Sequence, residues 1–211
     1  MIVVEPAFSV LHPKSKEDAL DALRRVELAG RLCYKSEDRV TSDSYHRFIQ
    51  MLIQRKHWSV IEHGYMTAHI VTNRGVTHEL VRHRLASFSQ ESTRYCNYAK
   101  GRFGGEIAVV CPPELSNADL PLWRASMQES EKVYLELIER GVTPQIARGV
   151  LPNDLKAEII VTANLREWHH IFALRCGSSA HPHMRHVMRM GLSQAAELFA
   201  PVFDDLIELS L

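Results

Sequence analysis

Residues 82 to 94 carry the densest chemistry in the chain. Arg82-His83-Arg84 is followed, after seven residues, by Ser92-Thr93-Arg94. Three forked cations are costly to crowd together unless something anionic lies between them. Hydroxyls and exposed backbone N–H groups nearby suit phosphate oxygens. The stretch therefore points to a phosphorylated, planar ligand rather than to a protein surface. Gly75 to Arg84 reads as a helix, on which neighbours point about 100° apart. Arg82, His83 and Arg84 would then touch different parts of a ligand, or ligands of different subunits. Two adjacent cations also disfavour protonation of His83, leaving it neutral. Taken alone, a solvated basic helix end explains the same three residues.

Arg148 and Arg175 stand later in the chain, each in a predicted helix with apolar neighbours. An unpaired buried guanidinium is costly, so each needs a structural ion pair or an anionic ligand. His57-Trp58-Ser59-Val60-Ile61-Glu62-His63 gathers histidine and carboxylate before a predicted strand. No third ligand is spaced to complete a metal site there. His181, His183 and His186 form a second, weaker histidine group and read as surface or interface residues. The four cysteines (Cys33, Cys96, Cys111 and Cys176) form no C-x-x-C pair, which favours reduced thiols in the cytoplasm. Cys176 has Arg175 beside it but reads as packing.

Arg-His-Arg, seven residues and then Ser resembles the signature of the flavin-dependent thymidylate synthases. Residues 57–63 resemble that family's His-x-Thr/Ser-x-x-Glu-His segment. Ala147-Arg148 with Val150-Leu151-Pro152 resembles its Ala-Arg…Leu-Pro element. Asn164-Leu165-Arg166 and Leu174-Arg175 follow at the family separations. The resemblance runs in order over roughly residues 20 to 190. It implies reductive methylation of dUMP to dTMP, with 5,10-methylenetetrahydrofolate as carbon donor, FAD as cofactor and NADPH as reductant. It also implies a homotetramer with sites between subunits, acting on small molecules and needing neither nucleic acid nor membrane. FAD contacts are implied for Ser59, Arg82, His83, Arg84, Gln90, Asn164, Arg166 and His170, and folate seating for His57. Substrate contacts are implied for Glu79, Arg82, Gln90, Glu91, Ser92, Thr93, Arg94, Arg148 and Arg175. The resemblance makes Arg175 the catalytic residue, facing the uracil ring, where positive charge stabilises developing negative charge. Ser89, Gln90 and Thr93 depart from the residues most frequent in the family. That leaves room for a sister enzyme acting on another pyrimidine nucleotide. From a different class, a metal-dependent phosphohydrolase or nucleic-acid-binding module is the remaining alternative.

These residues need a scaffold, and 211 residues with 45% apolar content supply one, read as a single domain over 1–211. Lys plus Arg balance Asp plus Glu at 25 each, which disfavours a general nucleic-acid binder. The balance is uneven. Residues 74–102 hold six Lys/Arg against Glu79 and Glu91, a pocket-sized positive field. No run of about 20 apolar residues spans a membrane, and no signal peptide is apparent. Helices are expected over 16–33 with Ser15 as N-cap, from Ser42 or Asp43 to Lys56, over 122–140, over 144–150, over 166–176 and through most of 183–209. Strands are expected at 65–72, 107–111 and 157–162, with 87–98 extended or turning. The result is an α+β fold with a small, mainly antiparallel sheet surrounded by helices. The resemblance implies the thymidylate synthase-complementing-protein form of it.

Overall fold

Ser15 caps the first long helix as its type predicts: its hydroxyl accepts from the Asp18 amide, and α1 runs Lys16–Tyr34. A computed structural model describes residues 1–210, without the Arg102 side chain. The order is β1 (Ile2–Val3), β2 (Ala7–His12), α1, α2 (Ser44–Gln54), α3 (Trp58–Ile61), β3 (Tyr65–Asn73) and α4 (Arg74–Leu80). β4 (Ala86–Gln90), β5 (Ala108–Val109), α5 (Leu120–Glu139), α6 (Pro144–Ala147) and β6 (Lys156–Asn164) follow. α7 (Leu165–Arg175) and α8 (Pro182–Phe199) close the chain, ahead of a 3-10 segment at Asp204–Ser210.

β1 pairs with β5 in parallel, Ile2 opposite Ala108 and Val3 opposite Val109. The other sheet has the order β2-β3-β6-β4 and is mainly antiparallel. The mixed, helix-rich fold with a small sheet is the class expected. The short N-terminal strands and α3 were not expected, because two to six residues carry too little periodicity to read.

The chain divides into two compact units. The first comprises Met1–Ala7, Val71–Leu80 and Ser89–Ile159. Its core gathers Tyr98, Ile107, Val109, Met127, Tyr134 and Leu155. α5 ends where Gly141 takes φ +88, a left-handed turn that suits glycine. The Met1 amino group joins Glu106 and Glu131 at 3.0 and 2.8 Å, tying the N-terminus to this unit.

The second unit comprises Phe8–Ile70, Val81–Phe88 and Ile160–Leu211. Trp168 is fully buried, stacks on Phe172 at 5.3 Å and donates from its indole N–H to the Met66 carbonyl at 2.8 Å. Gly191 allows α8 to approach Phe8 closely, since a Cβ there would lie 2.5 Å from that ring.

One expectation fails at a functional position. α4 stops at Leu80, so Arg82, His83 and Arg84 lie in the turn leading to β4, not on a helix. No glycine or proline marks this stop. Tertiary packing overrides helix propensity there: His83 is drawn into the second unit while Arg82 and Arg84 stay exposed.

Candidate active site

In the first unit, the stretch after β4 is built as a braced loop. The Gln90 side-chain amide donates to the Thr77 hydroxyl at 2.9 Å, and that hydroxyl donates to the Arg74 carbonyl. The Glu91 amide donates to the Glu158 carbonyl at 2.8 Å. The Glu91 carboxylate takes Lys156 at 2.9 Å and the Tyr98 hydroxyl at 3.2 Å. Burial lowers the Lys156 pKa, but hydrogen bonds to Glu158 and Glu91 outweigh it and the net shift is upward. Burial, with Glu91 beside it, raises the Tyr98 phenol. Glu91 is thus committed to an internal ion pair, which fixes the loop's exit.

Ser92 then opens a turn in which its carbonyl accepts from the Tyr95 and Cys96 amides. Its hydroxyl accepts from the Arg94 amide at 3.3 Å. Thr93 is buried, and its hydroxyl accepts from Arg148 Nη1 at 3.3 Å. Arg148, at the end of α6, is therefore brought to the loop across 55 positions of sequence. Arg94 and Arg148 are both exposed. The result is two guanidiniums and two hydroxyls around one turn, a donor set for a phosphate monoester. Glu79 stands half-buried on α4.

In the second unit, His83 is 5% exposed, and Arg175 Nε donates to its Nε2 at 3.0 Å. An imidazole that accepts at Nε2 carries its proton on Nδ1, which faces Glu167 Oε1 at 3.6 Å. Burial first, then the charges of Arg175 and His170, lower the His83 pKa to about 4. The expected neutrality is found, but its cause is burial and Arg175 rather than Arg82 and Arg84. Burial also raises the Glu167 pKa. The His170 ring lies 5.5 Å from His83, on the exposed side of α7.

α7 starts at Asn164, whose side-chain oxygen accepts from the Glu167 amide at 2.8 Å. This is the Asn-x-x-Glu start signal, and it would have drawn attention to Glu167, which the site residues expected from sequence omit. Arg166 is exposed and pairs with Glu62 at 2.6 Å. His57 is also exposed, its Nδ1 bonded to the Tyr34 hydroxyl at 3.0 Å, a partner that no sequence signal indicated.

Two cavities of this unit, with the folate residue His57, collect four of the eight expected FAD residues: Ser59, Arg84, Asn164 and Arg166. One of about 480 Å³ is lined by Tyr34, His57, Trp58, Ser59 and Arg166 among others. Another of about 430 Å³ is lined by Tyr65, Arg84, Ser87, Thr162 and Asn164. Guanidiniums, hydroxyls and aromatic rings are the donor and stacking set that a flavin dinucleotide requires, so the residues fit FAD. Arg82, His83, Gln90 and His170 line neither cavity.

The histidine group near the C-terminus is corrected in part. His183 is buried, not at the surface, and its amide donates to His181 Nδ1 at the start of α8. Proline at the first helical position and this cap explain the spacing of the pair. Among the described residues, no group of three or more His, Cys, Asp or Glu could hold a metal ion. Among the described residues, no helix is long and apolar enough to cross a membrane.

Known proteins share this plan. A structure of the UMP/dUMP methylase PolB from Streptomyces cacaoi, bound with 5-Br dUMP, superposes with TM-score 0.79 at 22% identity. It covers 97% of this chain and 96% of its own, which establishes the fold. A flavin-dependent thymidylate synthase of Geobacter sulfurreducens is 36% identical over 160 residues, covering 72% of this chain and 67% of the relative. One of Mycobacteroides abscessus is 35% identical over 201 residues (85% and 78%), and one of Pyrococcus furiosus 34% over 172 (80% and 69%). The family model described as thymidylate synthase complementing protein matches residues 17–202. With motifs, fold and relatives in agreement over most of its length, the chain belongs to the thymidylate synthase complementing protein family, the flavin-dependent thymidylate synthases.

Proposed function

We propose that this protein reductively methylates dUMP to dTMP. The observation that carries the reading is the meeting of Arg148 with Thr93, beside Ser92 and Arg94, in a chain of this family. When bound, FAD supplies a hydride drawn from NADPH, and 5,10-methylenetetrahydrofolate supplies the carbon unit, leaving tetrahydrofolate. Ser59, Arg84, Asn164 and Arg166 are the residues that would hold FAD, with Arg82, His83, Gln90 and His170 contributing.

The chain's own work is binding and electrostatics. Arg148 and Arg94, with the Ser92 hydroxyl, grip the 5′-phosphate, and the Glu91–Lys156 pair keeps their loop in shape. Glu79, Gln90 and Thr93 complete the substrate contacts. Arg175 faces the uracil, where its charge stabilises electron density arriving on the ring. Neutral His83 holds Arg175 by accepting from its Nε, which fixes the orientation of the guanidinium. His57, steadied by Tyr34, seats the folate. No thiolate is called for: burial pushes the Cys176 thiol up to about 12.

The two sets of residues serve one catalytic domain over 1–211, a reading supported by a family match that runs from 17 to 202. We further infer a cytoplasmic homotetramer in which several copies contribute to each site. The scattered free thiols agree with a reducing compartment.

Incubation of the purified, yellow protein with dUMP, methylenetetrahydrofolate and NADPH tests the reading. The expected result is dTMP with tetrahydrofolate. Flavin-bound protein that turns over UMP but not dUMP would move the assignment to a sister reaction.

A further inference from the structure

α1, the turn after it and α2 build a second cationic recess that the reaction above does not use. It has a volume of about 490 Å³ and is lined by Arg31, Arg39, Thr41, Asp43, Ser44, Arg47 and Phe48. Its floor is built rather than accidental. Glu27, 1% exposed, accepts from Arg31 Nε and Nη2 at 3.0 and 2.8 Å and from the Ser44 hydroxyl at 2.7 Å. The Arg31 guanidinium also lies 4.5 Å over the Phe48 ring. Arg31 is thereby locked in place.

Arg39 and Arg47 are different. Neither guanidinium has an ion-pair or hydrogen-bond partner among the described residues. With Glu27 balancing Arg31, the carboxylates lining their two cavities are Asp43, which accepts from the Thr41 hydroxyl, and Asp38. The Ser44 and Thr41 hydroxyls are spent on Glu27 and Asp43, so the two uncommitted guanidiniums are the phosphate-binding donors of the recess.

The recess adjoins the expected cofactor region through shared lining residues. A neighbouring cavity of about 380 Å³ shares Arg31, Arg39 and Phe48 with it and adds Lys35 and Arg55. That cavity shares Tyr34 in turn with the one lined by His57, Ser59 and Arg166. Shared lining residues thus link the recess, through a cavity that holds Lys35, Arg39 and Arg55 with Asp38, to the residues expected to seat folate and flavin.

We propose that the Arg31–Arg39–Arg47 recess is a phosphate subsite for the phosphorylated adenosine end of a dinucleotide that extends toward the His57–Ser59–Arg166 cavity. The proposal rests on the flavoenzyme reading above for its ligand class. Two dinucleotides share that chemistry, the reductant and FAD itself, and one experiment separates them.

FAD-loaded protein is titrated calorimetrically with adenosine 2′,5′-bisphosphate, for the native chain and for the Arg39→Ala/Arg47→Ala double variant. Both side chains are exposed and unpartnered, so the variant is expected to fold; an Arg39→Lys/Arg47→Lys variant retains charge as a second check. The expected result is binding by the native chain, weakened tenfold or more in the alanine variant and partly restored by lysine. The KM for NADPH rises in step, and that for NADH does not. If the alanine variant instead loses its flavin, the subsite stands and holds FAD's own phosphates. Native protein that ignores the bisphosphate, with a variant that keeps both its flavin and its KM for NADPH, overturns the proposal. Because binding is read directly, failure here is distinct from a failure to make dTMP.

Discussion

His83 is the residue on which geometry and protonation converge. It can accept from Arg175 only while neutral, and burial keeps it so down to about pH 4. A histidine whose folded pKa lies below its unfolded value contributes stability that is present above the unfolded value. That stability is lost as pH falls toward the folded value. The window is therefore about 6.5 down to 4, and the loss is on the order of 3 kcal/mol at most. Glu167 works in the opposite sense, because its raised pKa favours proton uptake by the folded state as pH falls. Melting temperature should accordingly drop between pH 6.5 and 4, and His83→Asn, which still offers an oxygen to Arg175, should flatten that profile. Circular-dichroism melts across this range decide it; an unchanged pH slope in the variant would place the sensitivity elsewhere. Arg148 gives a sharper kinetic expectation. A hydrogen bond to a charged group contributes about 1.5–3 kcal/mol, so Arg148→Ala should raise the KM for dUMP by roughly ten- to a hundredfold. Cys176→Ala should leave turnover intact while costing about 1–2 kcal/mol of stability for its vacated core position. Loss of turnover in a folded Cys176→Ala protein would revive a thiol mechanism.

At the scale of elements, what the sequence revealed depended on whether the signal was local. α1, α5 and α7 were legible because caps and apolar periods lie within each segment: Ser15 before α1, Gly141 after α5. The grouping of Arg148 with Ser92 and Arg94 was legible only through family resemblance, since the contact spans 55 positions. Tyr34 and the recess between α1 and α2 went unread, because each depends on packing that no local pattern encodes, while Glu167 went unread although the Asn164 helix start marks it. The end of α4 was misread for the same reason: burial of His83 decides it, not propensity. α7 concentrates these effects, since one helix carries Arg166, Glu167, His170 and Arg175 and is started by Asn164. Asn164→Ala should therefore cost about 1 kcal/mol through the lost cap, while Asn164→Asp should retain it. If Asn164 also meets the cofactor, flavin affinity will fall in both variants; if it serves only as the cap, only the alanine variant will suffer. Thermal melts and flavin titration on the same pair of variants separate the two roles.

For the whole molecule, the residues proposed to grip the phosphate and the residues around Arg175 belong to different units of the chain. Arg148 and Arg94 lie in one and Arg175, His57 and Arg166 in the other. In the proposed homotetramer a site need not draw both sets from the same copy. Closed symmetric assembly repeats any shared site at every equivalent interface, so a defect in one copy can be complemented by a sound residue in another. Assayed at dUMP well below the raised KM of Arg148→Ala, that variant and Arg175→Ala should each show little activity as pure proteins. When the two are unfolded, mixed in equal amounts and refolded together, random assembly should leave about a quarter of the sites with both arginines if different copies supply them. Activity of the co-refolded mixture, against each variant refolded alone, is the measurement. Recovery would place Arg148 and Arg175 of one site on separate copies, and sedimentation should then give four times the 24.1 kDa chain. No recovery, from a mixture that sediments as a tetramer, would mean that each site takes both arginines from a single chain.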